Sequence, residues 1–467
     1  MASTQGQTPG TWGAVRALLL RLHFYAGLLV APLLLVAALT GLAYAFTPQL
    51  DQLVYGEQLQ VARMGSEPRP LADQIAAARE VHPEGTVASV VTPAAAEDTT
   101  RVVLSVPELG DRQRTVFVDP YTAEVRGALT TWYGSTPLTT WLDDLHRHLH
   151  LGETGRLYSE TAASWLWVVV AGGLVLWLRR SRRRRAKSAR DVMLPDRSAR
   201  GVRRTRSLHA VTGLWLATGL FFLSATGLTW SQHAGDRFGQ LLDAAQGNAP
   251  ELVTTLPGET GGDEGKHAGH AGHRAGQVQA PAEPARFDTA LAVARDAGLG
   301  GRVEVTPPAD TRSAWTVAQD DPRWPVHYDQ VAVDPVTGAV TAENRWADHP
   351  VLAKLSKLGV QGHMGLLFGV ANQILLALIA LGLVFVILWG YRMWWQRRPT
   401  RSSRTVPLGK APARGAWRQL PLTVLLPCAA AVAAVGWALP VLGITLLGFL
   451  VVDTAVGLVR RARTRTA

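Results

Sequence analysis

One pattern occurs twice in this chain, each time inside an apolar run long enough to cross a bilayer. Leu22-His23-Phe24-Tyr25-Ala26-Gly27-Leu28 is followed, eleven residues on, by Thr40-Gly41-Leu42. Leu208-His209-Ala210-Val211-Thr212-Gly213-Leu214 reaches Thr226-Gly227-Leu228 at the same interval. Each copy of H-x3-G-L-x11-T-G-L predicts a membrane helix with a histidine in its first turns and a glycine one turn later on the same face. An ionisable side chain in a span is costly and needs a partner. Identical spacing in both copies points to duplication.

The repeat reaches beyond these helices. Asp-Pro-x-Thr-x2-Val stands at Asp119 and at Asp334, and H-x2-L-x2-G at His146/Leu149/Gly152 and at His363/Leu366/Gly369. The first motifs are offset by 209 − 23 = 186 residues and the Asp-Pro motifs by 334 − 119 = 215. The excess in the second half is about the length of its glycine- and histidine-rich linker. The chain therefore reads as helix–soluble module–helix, duplicated in parallel. Equivalent side chains then fall at equivalent depths about an axis along the membrane normal.

Charge and composition agree with a multi-pass membrane protein. The net charge is +11, but the basic residues sit beside the apolar runs, the positive-inside pattern, which argues against nucleic acid as a partner. A mean hydropathy of +0.08 implies about as much chain outside the bilayer as within it. The lone Cys428 excludes an intrachain disulfide, a C-x-x-C-H haem attachment and a four-cysteine cluster.

In order, the reading gives a polar cytoplasmic tail (1–14) and a first membrane helix (15–47), its start held inside by Arg16 and Arg21. The first outer module is 48–142, with a helix over Leu71–Val81, and a second membrane helix with a histidine-rich start is 143–178. A basic cytoplasmic loop (179–206) leads to helix three (207–231) and the second outer module (232–350), which carries the histidine-rich linker 261–275. Helix four (360–395), a cytoplasmic loop (396–418) and a hairpin of two helices (419–459) complete six spans, both termini inside. The first apolar run is too long for a signal peptide and no small-residue cleavage site follows, which predicts a retained helix.

This geometry yields two histidine pairs, His23 with His209 near the inner surface and His146 with His363 near the outer one. Facing imidazoles in a four-helix bundle suit the two axial positions of haem iron, which needs no cysteine. Gly27 and Gly213 leave room for a flat macrocycle. His150 shares a helical face with His146 and is an alternative outer ligand, but only His146 has a counterpart in the other half. His267, His270 and His273 are weaker metal candidates, in a linker with no preorganised geometry.

At this point the chain resembles the PepSY-associated transmembrane family, which includes iron-regulated inner-membrane proteins and ferric-siderophore reductases. The resemblance runs from His23 to about Trp395. It rests on Leu22-His23-x3-Gly27-Leu28 with Thr40-Gly41, Asp144-Leu145-His146-Arg147 with Gly152-Glu153-x-Gly155-Arg156, Leu208-His209-x3-Gly213-Leu214, and His363-x-Gly365-x2-Phe368-Gly369. It implies a mainly α membrane fold: a four-helix haem-binding bundle, a C-terminal hairpin and two small α+β extracytoplasmic PepSY modules. It also implies two haem b groups and electrons sent outward across the cytoplasmic membrane to a ferric chelate or siderophore. With no G-x-G-x-x-G after a strand, quinol or a separate reductase is the expected donor. Two rival readings are a scaffold or peptidase regulator with structural histidines, and a transporter, which would call for a broken helix or an intramembrane carboxylate.

Overall fold

The computed structural model describes residues 11–183, 190–256, 282–396, 415 and 420–465. The histidine trio at 267, 270 and 273 and most of the 396–418 loop lie outside the described residues. The chain divides into two compact units, Met1–Ala43 with Leu145–Leu241 and Ile374–Ala467, and Tyr44–Asp144 with Leu242–Gln373.

The elements repeat one for one. The first half comprises α1 (Thr11–Leu29), α2 (Ala31–Ala45), α3 (Thr47–Leu59), α4 (Leu71–Val81), β1 (Thr86–Val91), β2 (Thr100–Ser105), β3 (Gln113–Val118), β4 (Val125–Thr131), α5 (Pro137–His148) and α6 (Gly152–Arg183). A short α7 (Arg190–Met193) precedes the second half. That half comprises α8 (Gly201–Leu228), α9 (His233–Ala244), α10 (Ala285–Asp296), β5 (Val303–Thr306), β6 (Trp315–Gln319), β7 (Gln330–Val333), β8 (Val340–Asn344), α11 (Val351–Met364) and α12 (Gly369–Gln396). A hairpin, α13 (Leu422–Ala438) and α14 (Pro440–Arg465), follows. Thus α8 answers to α1 with α2, α9 to α3, and α12 to α6.

Among the described residues four helices are long and apolar enough to span a membrane: Gly152–Leu178, Gly201–Leu228, Gly369–Gln396 and Pro440–Val459. The expected first helix is instead a bent pair, α1 and α2 meeting at 55°, and α13 is a shorter apolar helix. Pro32 explains the bend. It has no N–H to offer the Leu28 carbonyl one turn back, and the Tyr391 hydroxyl donates to that carbonyl instead, at 3.1 Å. The corresponding residue of α8 is Thr218, and α8 runs straight through.

Two carboxyl groups lie within the spans, one buried and one half-buried. Glu160 of α6, 2 % exposed, accepts from the first backbone N–H groups of α9, His233 (3.1 Å) and Ala234 (2.8 Å), an anion at a helix N-terminus. Asp453 of α14 pairs with Arg21. Both are engaged by protein groups, so neither they nor the bend supports a transport site.

In the other unit the two modules are not separate domains. Their strands form one antiparallel eight-stranded sheet in the order β4-β3-β2-β1-β5-β6-β7-β8. The halves join where Val90 pairs with Val305 and Val91 with Glu304. The helix expected over Leu71–Val81 forms as α4; its Leu71, Ile75 and Ala78 recur at helical spacing and pack with Phe287, Ala290 and Ala294 of α10 over valines of both half-sheets. Asp288 of α10 accepts from the Leu71 and Ala72 amides at 2.6 and 2.9 Å, capping α4 across the two halves.

The Asp-Pro-x-Thr motifs are hairpin turns. Asp119 accepts from the amides of Tyr121 and Thr122, and Asp334 from those of Val336 and Thr337. Each turn then needs a left-handed residue, which is Ala123 (φ 60°) in the first and Gly338 (φ 69°) in the second. A Cβ in that region costs about 1–2 kcal/mol. Ala123→Gly is therefore expected to stabilise the sheet unit by about 1 kcal/mol and Gly338→Ala to destabilise it by a similar amount, read as opposite shifts of the urea midpoint followed by tryptophan fluorescence.

Candidate functional site

In the helical unit α6 packs on α1 and α8, and α12 packs on α8. Between α8 and α12, the Ile379 side chain lies over Gly219 and the Leu216 side chain over Gly382. A single apolar core spans these helices, including Ala26, Leu34, Trp165, Val170, Leu220 and Ile387.

Within this frame His23 and His209 come together, their ring centres 6.2 Å apart and their planes at 79°. His23 Nδ1 lies 3.0 Å from the carbonyl of Val169, and His209 Nδ1 lies 2.9 Å from that of Val386. A carbonyl can only accept, so each Nδ1 carries the proton and each Nε2 keeps its lone pair. A Cβ on Gly173 would stand 3.2 Å from His23 Cε1, and one on Gly390 3.7 Å from His209 Cε1. The two histidines thus use the same fittings, a valine carbonyl and a glycine one turn later, on α6 and α12. Val169 and Val386 are 386 − 169 = 217 residues apart, as are Gly173 and Gly390, and His146 and His363. This V-x3-G pair escaped the sequence reading, although subtracting the repeat offset from Gly390 finds it.

Gly27 and Gly213, four residues beyond the histidines, have no heavy atom within 4 Å of where a Cβ would stand. Two metal–nitrogen bonds of about 2 Å, with half a ring added on each side, span roughly 6 Å. The imidazole spacing and the open ground beside both glycines fit an iron porphyrin, which His23 and His209 would hold through Nε2. Among the described residues no three His, Cys, Asp or Glu side chains converge as metal ligands.

His146 belongs to the same unit, in the last turn of α5. Its Nδ1 is 3.0 Å from Thr40 Oγ1. The Thr40 hydroxyl has carbonyl acceptors in Val36 (2.9 Å) and Ala37 (3.2 Å), so its oxygen receives the His146 Nδ1 proton. Gly41 gives the imidazole its room, for a Cβ there would meet His146 Cε1 at 2.9 Å. The Thr-Gly of the first copy is thereby explained. Thr226 makes the matching back-bonds, to Phe222 and Leu223.

His363 stands in the last turn of α11, in the sheet-bearing unit. Asn372 Nδ2 donates to the neighbouring Gly362 carbonyl at 2.9 Å. His150 does not share a helical face with His146, because α5 ends at His148 and both Leu149 and His150 take left-handed angles of 53° and 54°. The glycine of H-x2-L-x2-G opens the next helix in both halves, Gly152 at φ 56° and Gly369 at φ 55°. A left-handed residue is required there.

Outside the spans, Asp51 of α3 fixes the start of α5 by accepting from the hydroxyls of Thr136 (2.7 Å) and Thr139 (2.8 Å). Burial pushes its carboxyl up, against the pull of those hydroxyls. On the sheet, Arg101 alternates with the core residue Val102 and so lies on the face away from α4 and α10. Burial and the nearby Arg302 bring its guanidinium down to about 10.

The glycine clearances rank three substitutions. Gly41→Ala forces His146 aside and is expected to cost about 1–3 kcal/mol, as overpacking does. Gly173→Ala costs less, and Gly390→Ala, at ordinary contact distance, is expected to be neutral. Thermal unfolding of the three purified variants checks the order.

A comparison with curated proteins finds no match. A family model described as the PepSY-associated TM region matches residues 20–397, from just before His23 to the end of α12. With the duplicated helices, the joined half-sheets and the paired histidines all inside that stretch, the chain belongs to the PepSY-associated transmembrane family.

Proposed function

We propose that this membrane protein is a di-haem b reductase that passes electrons outward to ferric iron held in a chelate, a siderophore in iron uptake. His23 and His209 hold an inner haem; His146 and His363 hold an outer one. The observation that carries the reading is the matched pair of Nδ1–carbonyl bonds to Val169 and Val386, with imidazoles 6.2 Å apart. A histidine that gives iron its Nε2 normally donates its other N–H to such an acceptor. Bound haem supplies a one-electron couple at each depth.

The protein's own groups do the rest. Val169 and Val386 hold the inner tautomers, Thr40 holds that of His146, and Gly27, Gly41 and Gly213 keep space. His363 is the counterpart of His146 at the repeat offset. Basic residues beside the spans put both termini in the cytoplasm and the sheet unit outside the cytoplasmic membrane. One electron converts Fe(III) to Fe(II), which prefers softer ligands than a hard-oxygen chelator offers. Quinol or a separate reductase supplies that electron.

The visible spectrum tests the reading. Protein made with ample haem is expected to show haem b bands sharpened by dithionite. His23→Ala or His209→Ala should each remove about half of the absorbance, and His146→Ala or His363→Ala the other half. A colourless wild type, or bands indifferent to all four substitutions, would sink it and favour the scaffold reading.

A further inference from the structure

The family match ends at residue 397, so the C-terminal hairpin has no role in what has been described. Its second helix nevertheless carries a stripe of three residues at helical spacing, Thr445, Phe449 and Asp453, each engaged with the first-half arm of the bundle. Trp165 Nε1 of α6 donates to Thr445 at 2.8 Å. The Phe449 ring lies 5.5 Å from that of Tyr25 on α1. The Asp453 carboxylate receives the Arg21 guanidinium, through Nη2 and, at 3.3 Å, Nε. Arg21 also lies over Tyr25, 4.8 Å from the ring centre.

Arg21, expected to hold the helix start inside, is 5 % exposed and held by a carboxylate from a span more than four hundred residues away in sequence. Arg21 and Tyr25 share one face of α1, while His23, two residues from Arg21, points the other way. The helix is therefore gripped on one side by α14 and presents its imidazole on the other. At the Arg21 position of the second half stands Ser207, whose hydroxyl accepts from the Asp196 amide at 2.8 Å. The His209 arm thus has its own local tie, and the ion pair serves the His23 arm alone.

We propose that α14 is a clamp for the inner site: Asp453, acting through Arg21, sets the pose of α1 and so the presentation of His23 towards His209. Arg21 is a positioning residue, and the pair also balances charge beside the inner site. The inference rests on the haem reading above. An ion pair in a span is costly to form and more costly to break by removing one partner, which makes it a firm fixture.

The test is a spectro-electrochemical titration of the full-length haem-loaded protein, with low-spin electron paramagnetic resonance and thermal unfolding alongside. Asp453→Asn leaves the Arg21 cation without its counter-charge. It is expected to raise the midpoint potential of the inner haem, since added positive charge favours the reduced state, and to alter that haem's low-spin signal while leaving the outer one unchanged. Asp453→Glu should keep both properties, and the exchange Arg21→Asp with Asp453→Arg should bring them back towards wild type. A lower Tm in Asp453→Asn with an unmoved inner-haem signal and potential would reduce the pair to a structural tie and overturn the clamp. Wild type without haem would overturn the reading beneath it, so the two failures are distinct.

Discussion

A backbone carbonyl that can only accept decides what the central histidines are able to do. Val169 and Val386 take the Nδ1 protons of His23 and His209, and that leaves two lone pairs on two adjacent rings among the helices. Gly173 and Gly390 let the rings approach the partner helices. Gly219 and Gly382 leave room for the Ile379 and Leu216 side chains between α8 and α12. Half-buried imidazoles with unused nitrogens are costly to maintain, and two of them aligned by matching fittings are hard to account for by packing alone.

The departures from symmetry are informative because the framework is so regular. Pro32 breaks one copy of the first helix and Thr218 leaves the other whole. Tyr391, from the second half, supplies the hydrogen bond that Pro32 withholds, so the irregular copy depends on the regular one. Glu160 caps α9, while its repeat-related position is Ala377. Such single-sided features mark where a duplicated chain has stopped being two equal halves.

Much of this was legible in the residues. The H-x3-G-L-x11-T-G-L repeat, the Asp-Pro-x-Thr turns and H-x2-L-x2-G are spaced patterns, and spacing survives translation into structure because helices and turns have fixed periods. The family and the pairing of His23 with His209 followed from them. What did not follow were contacts between segments distant in sequence. The seam of β1 with β5, Asp288 on the α4 amides and Asp453 on Arg21 join residues with no periodic relation. The bend at Val30 was visible in Pro32 but was hidden by the uniform apolarity around it. The length of α5 depended on left-handed angles at Leu149 and His150, which are neither glycine nor asparagine and give no warning.

The strand order has a consequence for where this architecture came from. Read from either end it is a palindrome, β4 to β1 and then β5 to β8, with its midpoint on one antiparallel rung. A lone half would carry that rung as an open edge, and the partner that fits it is another copy of the same half, turned about a twofold. Joining two such halves in one chain lets each arm carry parts, Pro32 and Glu160 among them, that an identical pair would have to carry twice.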